Sequence, residues 1–209
     1  MSTPILIGIP ASTYVRTARM AFEEKWVEYI LNPLQPHSDE VNAIHPFGKV
    51  PVLRHDNIRL AETLAICSYL DQTFDGPPLQ PERAEEKSKM LQWIGIYNTE
   101  CYTYMSPNLV IERIVIPMQG GTSDEDRIAA SVPLVRHRLE MFDNRLGNSP
   151  WLAGKTFSLA DMFLGPMLFY IKMIPESEQL MSGLRDLERW YDTISNRDSF
   201  KKTMPAMNQ

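Results

Sequence analysis

The feature that most constrains this chain is a change of pattern at Gly76-Pro77-Pro78 through Pro81. Before it, short β-branched runs alternate with helical stretches; after it, apolar residues recur at helical spacing throughout. Clustered Pro and Gly make a stiff, turn-rich connection. The expected division is therefore a mixed domain over residues 1–75, a linker over 76–86 and an all-α domain over 87–209.

Within the first part, residues 5–9 are apolar and β-branched, and Val15, Ala18 and Phe22 follow at helical spacing. This reads as a strand feeding a helix through the loop 10–14. Residues 26–31 read as a second strand. Ser38, Asp39 and Glu40 then start a helix with acids in its first turn, and His45-Pro46 cuts it short. Runs at 50–53 and 58–60 flank the turn signal Asp56-Asn57 and suit a hairpin. Over 63–74, Ile66, Tyr69, Leu70 and Phe74 share one helical face. The order β-α-β-α-β-β-α predicts a small mixed sheet with helices on both sides.

In the second part, Met90, Ile94, Tyr97, Cys101 and Tyr104 recur at four-three spacing, as do Ile128, Val132, Val135, Leu139, Phe142 and Leu146. Both series predict long amphipathic helices in a bundle. Two stretches oppose that reading. Residues 109–116 are rich in β-branched side chains, and Pro133 costs a backbone hydrogen bond inside the second series; both are assigned to helix. Ser158 as N-cap, Asp161 reaching back from N3 and Phe157 stapled to Met162 start a helix over 159–173. It is apolar nearly all round, so it belongs at the centre of the bundle.

Charge and cysteine content exclude several classes. A formal net charge of -5 and a pI near 5.4 oppose a phosphate-tracking surface, so no nucleic acid partner is expected. Residues 1–10 lack the basic and apolar regions of a secretory signal, and no apolar run has the length of a membrane span, so a cytoplasmic protein with no membrane partner is expected. Cys67 and Cys101 form no CxxC pair, which leaves no material for a disulfide framework, a zinc site or a redox couple. No metal is expected, and both thiols read as buried packing residues.

Several stretches together resemble the glutathione S-transferase superfamily. Gly8-Ile-Pro-Ala-Ser-Thr-Tyr-Val-Arg16 is similar to the first strand-loop-helix of the serine-type classes, particularly phi. His45-Pro-Phe-Gly-Lys-Val-Pro-Val-Leu53 resembles that family's Asn-Pro-Phe-Gly-Gln/Lys-Val-Pro-x-Leu segment. Ala61-Glu-Thr-Leu-Ala-Ile-Cys-Ser-Tyr-Leu70 resembles its Glu-Ser-x-Ala-Ile-x-x-Tyr-Leu segment, and Trp151-Leu-Ala-Gly-Lys-Thr-Phe-Ser-Leu-Ala-Asp161 its capping-box helix. The order and separation of these motifs across nearly the whole chain carry the resemblance. It implies an α/β thioredoxin-like domain followed by an all-α bundle, and a transferase that ionises the thiol of glutathione and conjugates it to a small hydrophobic electrophile. Detoxification and a homodimer come with it. A non-catalytic interaction module, and glutathione-dependent isomerisation, dehalogenation or peroxide reduction, remain alternatives.

The resemblance also assigns roles. Ser12, in the loop before the first helix, becomes the catalytic donor; from position alone it reads as an ordinary N-cap serine. Thr13 and Tyr14 carry rival hydroxyls, and Tyr14 is also placed at the electrophile pocket or in packing. Val50, before a proline expected cis, pairs its backbone with the cysteinyl part of glutathione. Glu62 takes the γ-glutamyl ammonium and Thr63 the α-carboxylate at a helix start, the alternative being a solvated acid beside a cap. Lys49 and His37 meet the glycyl carboxylate or stand as solvated loop residues. Phe47 resembles the aromatic key that some classes insert into a partner subunit. Trp93, Tyr97, Tyr102 and Tyr104 on the first bundle helix border an apolar electrophile pocket or, as helical spacing favours for most of them, pack in the core.

Overall fold

The computed structural model describes residues 2–206. Among these, one compact unit runs to Gln80 and takes in the segment from Asn196 onward, and the other spans Pro81–Ser195.

The first unit has the β-α-β-α-β-β-α order read from the sequence: β1 Ile5–Ile7, α1 Thr13–Glu24, β2 Ile30–Asn32, α2 Asp39–Asn42, β3 Val52–His55, β4 Ile58–Ala61 and α3 Thr63–Thr73. The sheet order is β2-β1-β3-β4, with β1 and β2 parallel and the other two pairs antiparallel. Leu6 and Ile7 of β1 and Val52 and Leu53 of β3 are all fully buried. Successive strand residues face opposite ways, so both faces of the central strands are covered. Ile7 and Val52 pack with Val41 of α2, which leaves Leu6 and Leu53 for the face carrying α1 and α3.

Two strands are shorter than expected. β1 stops at Ile7 because Gly8 leaves the extended region with φ 147°. Residues 26–29 do not join β2: Trp26 takes φ 56° at the exit of α1, a left-handed turn that ends the helix. The hairpin forms as expected, with β3 and β4 joined through Asp56-Asn57 and Asp56 at φ 48°, a conformation Asp tolerates.

The C-terminal segment, expected in the helical domain, instead joins the first unit. Its helix α11, Asp198–Lys202 in the full chain order, packs on α1. Arg16 of α1 is fully buried, and its Nη2 donates to the Phe200 carbonyl at 3.1 Å while the guanidinium lies 4.0 Å from the Phe200 ring centroid. Arg197 clamps Glu24 through Nε at 2.8 Å and Nη2 at 2.6 Å. A buried guanidinium needs acceptors, and this segment supplies one to α1.

In the second unit, α4 (Ala84–Ile96), α5 (Tyr102–Met105) and α6 (Ile116–Met118) are linked by π-helical turns over Tyr97–Cys101 and Ser106–Val115. The β-branched stretch is thus helical, but wound as a π-helix. A π-turn holds an extra residue, which moves the buried face along by one: Met90, Ile94, Tyr97 and Cys101 are buried as expected, and then Met105 replaces Tyr104. The remaining helices are α7 (Glu125–Leu146), α8 (Leu159–Ile171), α9 (Ser177–Met181) and α10 (Arg185–Ser195). Pro133 sits inside α7, and all six apolar residues of the predicted stripe are buried. Every residue of α8 except Phe169 is buried, as its all-round apolar sequence requires. Asp161, fully buried, accepts from Leu152 N, Ser158 N, Ser158 Oγ and Trp190 Nε1 at 2.9 to 3.2 Å.

Candidate functional site

Strand directions gather the candidate residues. Ile7 at the end of β1 pairs with Asn32 at the end of β2 and with Val52 at the start of β3, and Val52 in turn pairs with Ala61 at the end of β4. The segments that leave or enter the sheet there are 8–12, 33–38, 49–51 and 62–63, all at one end of the sheet. Ser12, His37, Lys49, Val50, Glu62 and Thr63 lie on those segments.

Gly8 sets their closeness. A Cβ at this position would stand 2.6 Å from Val15 Cγ2 and 2.9 Å from Val50 Cβ. Only a glycine lets the end of β1, the first turn of α1 and the Val50 corner approach in this way. The Val50-Pro51 bond is cis.

Ser12 is the N-cap of α1, and its Oγ accepts from Val15 N at 3.4 Å. An accepting hydroxyl keeps its own proton to donate. The cap and donor roles are thus compatible in one side chain, at the positive end of a helix 12 residues long. Of the rival hydroxyls, Thr13 is buried and Tyr14 half-buried on the first turn of the same helix.

Glu62 is the N-cap of α3 but makes no cap hydrogen bond with its side chain. Its backbone takes φ 70° and ψ 120°, a conformation costly for a residue with a side chain. The carboxylate, 77% exposed, instead stands 3.4 Å from Nε2 of His45. Thr63, the first residue of α3, is buried. An exposed carboxylate beside a helix start not capped by that side chain can take an ammonium and a carboxylate side by side.

Lys49 and His37 are both exposed. His37 takes φ 65°, donates its amide to the Gly48 carbonyl at 2.8 Å and accepts from Asn42 Nδ2 at its own carbonyl at 2.9 Å. A Cβ on Gly48 would lie 2.3 Å from His37 Nδ1, so the imidazole rests against bare glycine backbone. His45, which ends a helix and opens the Pro-Phe-Gly-Lys-Val-Pro motif, has no site role in the sequence alone. It is 4% exposed and contacts Phe47 in its own loop and Glu62 at the start of α3. The available signal was a ring where the resembling motif has Asn.

Tyr97 is buried against Phe163 and Tyr102, and Trp93 packs on Phe142. Cys67 and Cys101 are free and buried; burial pushes the Cys67 thiol up strongly and the Cys101 thiol up to about 12. Among the described residues, no group of three or more His, Cys, Asp or Glu is arranged to hold a metal ion. Among the same residues, no helix is long and apolar enough to cross a membrane.

Family models decide the relationship: the glutathione S-transferase N-terminal domain matches residues 6–78 and its C-terminal domain residues 93–198. The chain belongs to the glutathione S-transferase family. Glutathione S-transferase F12 of Arabidopsis thaliana is 28% identical over 88% of this chain and 80% of its own length. Among solved structures, glutathione transferase F7 from Populus trichocarpa superposes with a TM-score of 0.87 at 25% identity, covering 96% of this chain and 97% of that one. A glutathione S-transferase I bound with lactoylglutathione has a TM-score of 0.87 at 25% identity, over 97% of this chain and 98% of that one.

Proposed function

We propose that this glutathione transferase ionises glutathione at Ser12 and holds the tripeptide along the sheet end formed by Val50, Glu62 and Thr63. The enzyme conjugates glutathione to electrophiles. The observation that carries the site is the register that brings the ends of β1, β3 and β4 together around Gly8.

A thiol with a free pKa of roughly 8.5 is a few per cent ionised at neutral pH, and lowering it by about two units takes roughly 2.7 kcal/mol of thiolate stabilisation. In this reading the Ser12 hydroxyl donates to the sulfur while accepting from Val15 N, and the α1 dipole adds to it. Val50 offers its backbone to the cysteinyl group, Glu62 meets the ammonium, and Thr63 at the start of α3 meets the α-carboxylate. Lys49, exposed beside Val50, and His37 take the glycyl carboxylate. Tyr14 is placed toward the electrophile. The rest of the rate comes from proximity, as for other reactions that bring a nucleophile to a bound partner.

The same reading makes the enzyme a homodimer, with Phe47, 72% exposed, offered to a second copy. Two free thiols suit a reducing, cytoplasmic compartment, and conjugation of small electrophiles suits detoxification.

Ultraviolet titration of bound glutathione tests the site. The wild type is expected to show a thiol pKa about two units below that in buffer, and Ser12→Ala to lose most of that shift with little change in affinity. A thiol no more acidic when bound than when free would refute the mechanism. Retention on immobilised glutathione without turnover of any electrophile would favour an interaction module.

A further inference from the structure

We infer that His45 is a two-ended positioning residue whose ring closes the turn before Pro51 with one nitrogen and aims the Glu62 carboxylate with the other. The inference rests on the reading of Glu62 as the ammonium-binding group and names what holds it there. Nδ1 of His45 accepts from the Phe47 amide at 3.0 Å, so that nitrogen carries no proton. A neutral imidazole then has its single proton on Nε2. Nε2 stands 3.4 Å from Oε1 of Glu62, longer than a direct hydrogen bond, so its N–H draws the carboxylate as a charge–dipole contact. The amide of Phe47 thus fixes the tautomer, and the tautomer fixes the direction of the donor.

The ring is nearly closed to water, at 4% exposure, and its own helix-ending segment is anchored because the His45 amide donates to the Val41 carbonyl at 2.8 Å. The rigid end of the contact is therefore His45. Glu62 is the mobile end: its side chain is 77% exposed, makes no cap bond to α3, and hangs from a backbone at φ 70°. An exposed carboxylate has several rotamers to lose on binding a cation. A donor that holds it in one arrangement before ligand arrives lowers that cost. The second effect is on the loop. His45 to Phe47 is the same side-chain-to-amide closure that Asn makes in an Asx turn, two residues apart. An Asn at this position can close the turn, but its side chain ends short of Glu62. One substitution therefore separates the two jobs.

The test compares wild type, His45→Asn and His45→Ala, each with Glu62 intact and with Glu62→Ala, using glutathione and an aryl halide. His45→Asn is expected to keep near-wild-type urea stability and kcat at saturating glutathione while KM for glutathione rises about two- to fivefold, the scale of a solvent-exposed charged contact. His45→Ala is expected to show the same rise in KM together with reduced stability. In the Glu62→Ala background, His45→Asn is expected to add nothing. Nitrogen NMR of the free protein is expected to find His45 neutral with the proton on Nε2, and its Nε2 resonance to move in Glu62→Ala. A proton on Nδ1, an unchanged KM in His45→Asn, or an equal effect of that substitution with and without Glu62 would each overturn the inference. The NMR arm needs no ligand, so a wild type that bound no glutathione would overturn the function of Glu62 while the His45–Glu62 link was still decided on its own.

Discussion

Replacing Gly8 by Ala probes the packing of β1, α1 and the Val50 corner in the sheet-end site. The new Cβ would stand 2.6 Å from Val15 Cγ2 and 2.9 Å from Val50 Cβ, and φ is 147°, where L side chains are rarely found. Val15 is fully buried and one of the clashing atoms is the Cβ of Val50, fixed to its backbone, so neither neighbour withdraws by rotating a flexible tip. Overpacking of this kind costs about 1–3 kcal/mol and a sparsely populated φ about as much again. Gly8→Ala is therefore expected to destabilise by about 2–6 kcal/mol in urea unfolding. Residual activity should fall further than stability alone accounts for, because relief of the clash moves the first turn of α1 away from the Val50 corner. Gly95 is the internal control: a Cβ there meets nothing within 4 Å, and it lies inside α4. Gly95→Ala is expected to stabilise by about 0.5–1 kcal/mol. Val15→Ala removes one of the clashing atoms, so the pair Gly8→Ala with Val15→Ala should cost less than the sum of the singles. Wild-type stability and turnover in Gly8→Ala would refute the steric argument.

Two further outcomes are expected. Burial pushes the Asp161 carboxyl up to about 6 against four hydrogen-bond donors. A raised folded pKa contributes stability that is present below the unfolded value near 4 and lost as pH rises through 6, about 3 kcal/mol in all. The stability of wild type relative to Asp161→Asn should accordingly decline between pH 4 and pH 7, and a flat difference would count against it. Cys67 and Cys101, buried and with raised thiol pKa values, should resist thiol reagents in the native protein and react on unfolding; labelling at the native rate of a free thiol would contradict this.

What the sequence determined on its own was local. Period-two and period-3.6 spacing, the Asp56-Asn57 turn and the Ser158–Asp161 box each act within a few residues, so the element order and the capping of α8 were readable in one dimension. The motifs around Ser12, Val50 and Glu62 were legible too, as was the helix through Pro133.

Tertiary structure decided the rest, because the deciding contacts join residues far apart in the chain. Arg16 meets Phe200 across 184 positions, a pairing no local pattern encodes, and it draws the last helix onto the first unit. The π-turns after α4 follow no single-residue signal and replace Tyr104 by Met105 on the buried face. His45 shows the same limit at the site: a helix terminator in the sequence, it becomes the partner of Glu62 only when antiparallel pairing of β3 and β4 carries residue 62 back beside residue 45. Chain order sets which groups exist, and the sheet register sets which of them meet.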